Sequence, residues 1–525
     1  MDFGTTNSGM AVYNGRSVNV LNIDPQNSNP GVARTAIYIT NDHTVHIGRS
    51  AIDHYFEHNV GRAVKMRKVW VGEIEIYAED LYYVTDAYAF VDVLSPGRLF
   101  LSIKSGLRSE DFPGTVIGQH YYSLENLIST FLTTTKIRAE KQLGQEVNQI
   151  VLGRPVRFAF DEEKDRLAQG RLLQSAFQAG YEKVYFQYEP IAAAYSYETT
   201  LDKPENVLVF DFGGGTLDVT IMRLGDPKNR GVLATGGIPI AGDVFDQKIV
   251  RHKLARHFGE GSPYGPRHKN LSVPGWIYDT FSNWQTILEL QSSERKQMLK
   301  EIAQTARRRY QIEALVSVVS NNYGLRMFDV VEASKRQLSD KRGTEILFEG
   351  PGFSVRDFVT RREFENIIRQ EIIAIDEHLD EMMTQAGLTA ENIDTVIRTG
   401  GSAQIPAFVQ ILEKKFGAEK VRSIDTFSSV TAGLGIVGHR VEAGEIELKA
   451  YTPDDLKLPE NNSQPNVTQI NLDMIQRRIL AVEGDESAAL VEEKAMMVLG
   501  EDGVVTAVPL PTDTLTSGKD YDLEE

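Results

Sequence analysis

Cysteine is absent from the 525 residues of this chain. Disulfide bonds, thiolate metal sites and cysteine nucleophiles are therefore excluded, and a reducing compartment suits the composition. The sequence also lacks an apolar run long enough to span a bilayer, and its start lacks the pattern of a signal peptide. We therefore predict a cytoplasmic protein that has no membrane partner.

Basic residues are outnumbered, because the chain carries 56 Lys and Arg residues against 73 Asp and Glu residues. Residues 441–525 contain 19 acidic and six basic side chains, so most of the net charge of −17 lies in this C-terminal stretch. The rest of the chain is close to neutral and has no basic footprint of the kind that nucleic-acid-binding proteins show. We expect no nucleic-acid partner.

The proportions of apolar residues, 41%, and charged residues, 25%, are those of a globular protein with a sizeable core. The length allows about three or four domains. Strand-like and helix-like stretches alternate through the first 200 residues, which predicts an α/β layered architecture. The predicted strands are 18–23, 35–39, 149–152 and 183–187, and the predicted helices are 124–143, 162–178 and 191–197.

A second series of elements begins near residue 206, with predicted strands at 207–211 and 217–223 that flank a glycine run. Alone, this pair would be an ordinary hairpin with a glycine turn. The start of the chain repeats the order, however, because Asp2-Phe3-Gly4-Thr5 precedes a strand-like stretch at 9–13, and this repeat indicates a duplicated domain. Further on, we predict largely helical structure over 285–341 with a break near 320–324. Helices at 361–385, ending at Gly387, and 406–416 and a strand at 393–397 follow.

The two glycine loops are candidate phosphate-binding sites. Gly4 and the run Gly213-Gly214-Gly215 let backbone N–H groups approach phosphate oxygens, and threonine hydroxyls add donors. Each loop follows an aspartate, Asp2 or Asp211, which would repel phosphate unless a cation such as Mg²⁺ lay between them. The pattern therefore predicts a clamp for a magnesium nucleotide. The P-loop and Rossmann motifs are absent from the sequence.

Four stretches within residues 1–440 resemble, in order, the signature motifs of the DnaK-type heat-shock chaperone ATPase family, and the chain looks closest to the divergent YegD-like branch. They are Asp2-Phe3-Gly4-Thr5-Thr6-Asn7-Ser8, Glu189-Pro190-Ile191-Ala192-Ala193-Ala194, Val207-Leu208-Val209-Phe210-Asp211-Phe212-Gly213-Gly214-Gly215-Thr216-Leu217-Asp218 and Gly400-Gly401-Ser402-Ala403-Gln404-Ile405-Pro406. The resemblance implies an α/β, two-lobed actin-like ATPase fold of duplicated ribonuclease-H-like domains with the nucleotide between them. It places lobe I at 1–206, lobe II at 207–440 and an acidic extension at 441–525.

The resemblance also implies ATP or ADP as the ligand, with Mg²⁺ held through water by Asp2 and Asp211, and it allows K⁺ as a further ion. The residues that it places in catalysis are Lys104, Glu189, Asp211, Thr216 and Asp218. The residues that it places at the nucleotide are Gly4, Thr5, Thr6, Gly213, Gly214, Gly215, Gly242, Glu332, Lys335, Arg336, Ser339, Gly400, Gly401 and Ser402. Pro155 resembles the proline that relays nucleotide state between the lobes.

The implied reaction is in-line attack of water on the γ-phosphate of ATP, in which positioning and charge stabilisation do most of the work. Lys104 and Mg²⁺ would supply positive charge. Asp211, Asp218 or Glu189 could orient the water, and the sequence does not choose among them.

Three departures from the family pattern are expected to matter. Residues 70–93 form an insertion rich in aromatic side chains, which we interpret as a local β subdomain that buries its own rings. Phe427 stands where the family has Asp. Residues 441–525 are too few for a full peptide-binding domain, and we expect the end, residues 511–525, to be disordered. The protein client or co-chaperone cannot be named from the sequence.

Two other functions use the same superfamily fold. A carbohydrate kinase would need an aspartate base and sugar-binding residues in the first lobe, and the sequence offers no clear set. A filament-forming or scaffolding actin relative would use the nucleotide as a switch. The stretch from Glu332 to Ser339, which resembles the adenosine-flanking helix of the chaperone family, favours a chaperone-like ATPase over both.

Overall fold

The fold is described from a computed structural model of the chain. The residues that it describes are 1–78, 81–109, 114–159, 161–198, 201–225, 230–266, 268, 271–283, 286–423, 429–456, 470–484, 495–499 and 505–509. Only the backbone is described for residues 68, 70–78, 81–90, 495–499 and 505–509. None of the described helices combines the length and the apolar stretch that a membrane span requires.

The described part of residues 1–198, which we call the N-terminal region, contains 14 strands and four helices. The strands are β1 (Asp2–Phe3), β2 (Asn7–Gly9), β3 (Ala11–Tyr13), β4 (Val18–Val20), β5 (Val32–Arg34), β6 (Ala36–Thr40), β7 (Val45–Ile47), β8 (Met66–Ala78), β9 (Leu81–Asp92), β10 (Gly97–Leu101), β11 (Thr115–Ile117), β12 (His120–Tyr122), β13 (Gln149–Arg154) and β14 (Lys183–Tyr188). The helices are α1 (Gly48–Asn59), α2 (Leu124–Leu143), α3 (Glu162–Gln178) and α4 (Glu189–Glu198).

Residues 205–423, which we call the central region, contain one five-stranded sheet and eight helices in their described part. The strands are β15 (Glu205–Phe212), β16 (Leu217–Leu224), β17 (Gly231–Ile238), β18 (Pro263–Tyr264), β19 (Leu271–Ser272), β20 (Gly343–Gly350), β21 (Phe353–Thr360), β22 (Thr395–Thr399) and β23 (Val421–Ser423). The helices are α5 (Gly242–Ile249), α6 (Gly275–Phe281), α7 (Ser293–Thr305), α8 (Arg309–Ser320), α9 (Gly324–Asp340), α10 (Arg361–Ile367), α11 (Arg369–Ala386) and α12 (Pro406–Phe416).

The chain continues through α13 (Ser429–Glu442), α14 (Leu472–Val482) and the hairpin of β24 (Ala495–Leu499) and β25 (Val505–Pro509). Short 3₁₀ or π turns lie between the longer elements. They are Ile103–Arg108, Val250–Leu254, Ala255–Phe258, Ile287–Gln291, Ala390–Asn392, Gly401–Gln404 and Pro453–Asp455.

Helix α2 shows how the N-terminal core forms. Its apolar residues recur at Leu124, Leu127, Ile128, Phe131 and Leu132, a spacing that puts them on one face, and all five are buried in one cluster with the surrounding strands. A capping box at Ser123 begins the helix. The strand order within this region is β1-β2-β5 and β10-β6-β7, with β13 parallel to β14.

The central sheet has the order β17-β16-β15-β22-β23, in which β15 and β22 are parallel and β15 and β16 are antiparallel. One face packs on a cluster of aromatic rings that includes Phe210, Phe245 and Phe408. Because parallel strands end at the same edge of a sheet, the loops after β15 and β22 lie side by side. This edge positions the second glycine loop.

Most predicted elements are confirmed, and the bounds of α2, α3 and α12 match the predicted ones. The break near 320–324 separates α8 from α9, and Gly387 ends α11 in the left-handed region with φ 66°. The single helix predicted over 361–385 is wrong. The buried Ile368, with φ −100° and ψ 20°, separates α10 from α11 while its side chain packs into the core.

The predicted insertion forms an antiparallel hairpin of β8 and β9, with an irregularity between Trp70 and Gly72. The burial of its aromatic rings lies outside the described side chains. Phe427 and the predicted disorder of 511–525 also lie outside the described residues.

The segment after α13 returns to the N-terminal region. Tyr451 and Val184 exchange two backbone hydrogen bonds, of 2.8 and 3.0 Å, at the edge of β14. Ile475 and Ile479 of α14 are buried in the N-terminal core, and Arg138 of α2 forms an ion pair with Glu483. Part of the acidic extension therefore packs on the N-terminal region.

We expect Ile475→Ala to destabilise the protein by about 2–5 kcal/mol, because it leaves a cavity between α14 and the N-terminal core. Differential scanning calorimetry would measure this as a lower melting temperature. Gln476→Ala, at an exposed position of the same helix, is the matched control. Equal melting temperatures for the two variants would contradict the packing of α14.

Candidate functional site

The two glycine loops face each other, as the sequence predicts. The first loop follows β1 at Gly4, and the second joins β15 to β16. A Cβ atom added at Gly214 would lie 2.2 Å from Oγ1 of Thr6, and one added at Gly215 would lie 3.4 Å from Cγ2 of Thr5. The loops thus approach so closely that Gly214 has no room for a side chain.

Neighbouring strands hold the aspartate that precedes each loop. Asp2 pairs with Gly9 of β2, while the adjacent Met1 carbonyl accepts a hydrogen bond of 2.9 Å from the Gly153 N–H of β13. Asp211 lies in the central sheet between Asp218 and Thr399, which flank it on β16 and β22. Pairing with neighbouring strands therefore holds the backbone of both aspartates in place.

Lys104 lies beside Glu189. It follows Ser102, whose backbone is left-handed with φ 53°, in the turn Ile103–Arg108. Its Nζ donates to Oε1 of Glu189 over 2.7 Å, and only 9% of its side chain is exposed. Glu189 begins α4, so a turn and a helix end of the N-terminal region meet at this ion pair.

Four carboxylates, those of Asp2, Glu189, Asp211 and Asp218, lie close enough to this lysine and to one another to shift the pKa values of the three aspartates. Burial and then Glu189 raise the pKa of Asp2 to about 7. Burial, followed by the charges of Asp218, Glu189 and Asp2, raises the pKa of Asp211 well above its usual range. Burial and then Glu189 raise the pKa of Asp218 to about 6, although the Thr216 hydroxyl donates to it over 2.8 Å. Full ionisation of all four carboxylates would give more negative charge than Lys104 can balance, so the protonated forms of the three aspartates are favoured without a further cation.

A group of carboxylates that needs a further cation for full ionisation, beside two glycine loops, fits a magnesium nucleotide. In the described part of the chain, no three His, Asp or Glu side chains are grouped to chelate an ion directly. Mg²⁺ commonly keeps several waters and uses one or two carboxylates together with phosphate oxygens. Asp2 and Asp211 suit that mode.

A group of hydrogen bonds around the Gly213 and Gly242 carbonyls, which we call the cradle, adjoins the second glycine loop. The Lys335 ammonium donates to the Gly242 carbonyl over 2.9 Å and to Oδ2 of Asp246 over 2.6 Å, and the Gly242 N–H donates to the Gly213 carbonyl over 3.3 Å. The Ser402 hydroxyl donates to the same Gly213 carbonyl over 2.7 Å. Four separate segments therefore meet here.

Gly400 allows the loop after β22 to reach this cradle. Its φ is 90°, and an added Cβ would lie 2.1 Å from the carbonyl oxygen of Phe212. Both the backbone angle and the close contact require glycine at this position.

Side chains of the N-terminal and central regions also bond directly to each other. Arg34 of β5 forms two hydrogen bonds, of 3.1 and 3.0 Å, with the Glu332 carboxylate of α9. In addition, the Asn322 amide donates to the Tyr55 hydroxyl over 2.8 Å and to the Asn59 carbonyl over 2.9 Å. The two regions are thus joined by side-chain hydrogen bonds as well as by the contact of the glycine loops.

The structure brings most of the predicted site residues together around the two loops and the cradle. Arg336 is exposed and Ser339 is half-buried on α9. Pro155 directly follows β13, and its carbonyl accepts a hydrogen bond of 3.1 Å from the Arg154 guanidinium. Sequence reasoning missed Arg34 and Asn322, because their partners lie more than 200 residues away and no motif marks them. Asp246 could have been found, since it ends the stretch that begins at Gly242.

We expect the Asp218 carboxyl to lower the stability of the nucleotide-free and magnesium-free protein as pH rises. Its folded pKa of about 6 exceeds its ordinary 3.8, so its favourable contribution is complete below pH 4 and is lost as pH rises through about 6. Asp218→Asn should therefore raise the free energy of unfolding at pH 8 by up to about 3 kcal/mol, and with it the melting temperature. This gain should shrink toward pH 5.

Scanning calorimetry across this pH range would test the expectation. Asp53→Asn, on the solvent side of α1, serves as the control. A lower melting temperature for Asp218→Asn at pH 8 would contradict the unfavourable burial of this charge.

Comparison with known proteins identifies the family of the chain. The family model described as Hsp70 protein matches residues 103–264 and 296–457, which is more than half of the chain. The chaperone protein dnaK of Cyanidioschyzon merolae (strain NIES-3377 / 10D) is 25% identical over 458 residues. This alignment covers 85% of the chain and 62% of the relative, so the chain spans less than two thirds of the relative's length.

The resemblance to the DnaK-type family is thereby confirmed, whereas the YegD-like branch stays a prediction. The family implies the two-lobed actin-like ATPase fold, and the structure has the mixed α/β composition that such a fold requires. The chain belongs to the Hsp70 protein family.

Proposed function

We propose that this protein binds ATP with Mg²⁺ between its N-terminal and central regions and slowly hydrolyses it to ADP and phosphate, as a chaperone-like ATPase. The observation that carries the proposal is the buried Lys104–Glu189 pair, with N–O distance 2.7 Å, among the carboxylates of Asp2, Asp211 and Asp218. Family membership supports it.

The two glycine loops would hold the phosphates through backbone N–H groups. Asp2 and Asp211 would hold Mg²⁺ through water, and the ion, when bound, would neutralise charge on the phosphate oxygens. On α9, Glu332 and Lys335 would take the ribose side of the nucleotide, and Gly400 to Ser402 would approach it from the next strand.

Lys104 would donate to the γ-phosphoryl oxygens, where negative charge must be stabilised. Glu189 keeps its ammonium in place. Thr216 occupies Oδ2 of Asp218, which leaves the other oxygen of that carboxylate to accept a hydrogen bond from the attacking water. Asp211 is the alternative residue for this role.

The N-terminal and central regions would move toward each other when nucleotide binds, because each region supplies one of the two glycine loops. The resulting lobe movement, a cytoplasmic location, K⁺ as a further ion and an unidentified protein client or co-chaperone all form part of this proposal. The domain limits at 206 and 440 remain predictions.

The proposal is tested by titrating the purified protein with magnesium ATP in a calorimeter and measuring phosphate release, with and without sugars. Binding with sugar-independent release supports it. Failure to bind ATP would overturn it. Release that requires a sugar would favour a carbohydrate kinase, and ATP-dependent pelleting on centrifugation would favour a filament-forming protein.

We expect Lys104→Met to lower kcat by about 100-fold or more, because the charge that stabilises the transferring phosphoryl group is lost. ATP affinity should change much less, since the loops remain. Lys104→Arg keeps a positive charge beside Glu189 and is the comparison that separates loss of catalysis from loss of folding. Lys164→Met, at an exposed position of α3, is the control. Wild-type turnover by Lys104→Met would remove this lysine from the mechanism.

A further inference from the structure

Arg154, the last residue of β13, carries a buried guanidinium that the proposed reaction does not use. Only 9% of its side chain is exposed. It donates to both carboxylate oxygens of Asp165, over 3.0 and 2.9 Å, and to the side-chain oxygen of Gln169. It also donates to the carbonyls of Pro155 and Val156, over 3.1 and 3.4 Å. All three guanidinium nitrogens therefore have acceptors, which offsets the cost of burying the charge.

Two aromatic rings lie against this guanidinium. Its central carbon is 4.9 Å from the ring centre of Phe158 and 5.5 Å from that of Tyr188, distances at which a ring attracts a cation. Tyr188 is the last residue of β14 and the register partner of Arg154 in the parallel pair of β13 and β14. The next residue, Glu189, begins α4. Arg154 therefore holds the end of β14 at the residue before Glu189.

The end of β13 also lies against Glu189 itself. A Cβ atom added at Gly153 would lie 3.1 Å from Cγ of Glu189, so the glutamate side chain packs on the backbone of this strand. The Gly153 N–H donates over 2.9 Å to the carbonyl of Met1, the residue before Asp2. Since Glu189 accepts from Lys104 over 2.7 Å, a shift of this strand end would move the lysine as well.

The strand end needs a side chain to hold it because Pro155 follows. Proline has no N–H group, so the backbone ladder between β13 and β14 cannot continue past Arg154. The guanidinium bonds to the next two carbonyls instead, and Asp165, which anchors it, also accepts from the Phe158 N–H over 2.6 Å. The turn after β13 is thus closed around one arginine.

We propose that Arg154 is a positioning residue for ATP hydrolysis: it fixes the ends of β13 and β14, and so holds Glu189 and the Lys104 ammonium in the orientation that the reaction uses. This inference rests on the proposed ATPase function. Arg154 acts through Glu189 and touches no reacting atom. Nucleotide binding depends on the glycine loops and does not need this arginine.

We expect Arg154→Met to lower kcat by about tenfold or more, because a small misplacement of a catalytic group has effects of this size. The dissociation constant of magnesium ATP, measured by calorimetry, should stay within about threefold of the wild-type value, since the loops are intact. Arg154→Lys should recover only part of the rate, because an ammonium cannot form the planar contacts with Asp165. Arg166→Met, at an exposed position of α3, is the matched control and should keep the wild-type kcat.

Hydrogen exchange of the nucleotide-free protein tests the positioning apart from catalysis. Peptides that span residues 187–195 should exchange faster in Arg154→Met, because the start of α4 loses its support from β14. Peptides of α11 in the central region are the internal reference. Tyr188→Leu removes a ring that is 38% exposed, so this variant should fold and should show a smaller change in the same direction.

A double-mutant cycle tests whether Arg154 acts through Lys104. In the Lys104→Met background, Arg154→Met should lower kcat no further, because the group that it positions is already absent. The same loss in both backgrounds would contradict this route.

A wild-type kcat in folded Arg154→Met would overturn the inference and leave the proposed function standing. Parallel losses of kcat and ATP affinity in Arg154→Met, Arg154→Lys and Tyr188→Leu would also overturn it, because the arginine would then only support folding. If melting curves show that Arg154→Met is unfolded, Tyr188→Leu decides, and wild-type kcat and exchange in that variant would overturn the inference. Failure of wild type to hydrolyse ATP would instead overturn the proposed function.

Discussion

The buried ammonium of Lys104, held 2.7 Å from Glu189 among three aspartates, is the electrostatic constraint on which the site depends. Burial disfavours a charged lysine, yet the surrounding carboxylates raise its pKa, with Glu189 and Asp2 the strongest of them. The same burial raises the pKa of each aspartate in the cluster. The protein therefore holds an arrangement that is poorly balanced without a cation, which is the property a magnesium nucleotide site needs.

Close backbone packing is what allows both regions to reach this cluster. Helix α13 follows the central region and lies against α4, which begins at Glu189. A Cβ atom at Gly433 would lie 1.7 Å from the Ala192 carbonyl oxygen, so the two helices meet at a glycine. Gly9, the partner of Asp2, similarly contacts Thr431. Close contacts at two glycines thus bring α13 against both the strand that pairs with Asp2 and the helix that begins at Glu189.

The C-terminal segment adds a second link between the regions. After α13, the chain crosses to the edge of β14 at Tyr451, whose ring packs on Phe186 and whose hydroxyl accepts from Gln169. Helix α14 then buries two isoleucines against α2 and β7. The acidic composition of this stretch gave no sign of this role, because a few buried apolar residues suffice to dock an otherwise polar helix.

The sequence by itself determined the local elements and the chemistry of the loops. Helix α2 follows from its apolar spacing and capping residues, and the glycine loops at Gly4 and Gly213 could be located from the close backbone approach that glycine allows. Only the tertiary structure decided which distant charges meet. Arg34 pairs with Glu332, and Asn322 with Tyr55, across hundreds of residues, and no local pattern encodes such contacts because they depend on how the two regions pack. The break at Ile368 has the same origin, since packing of one buried side chain overrode a continuous helical pattern.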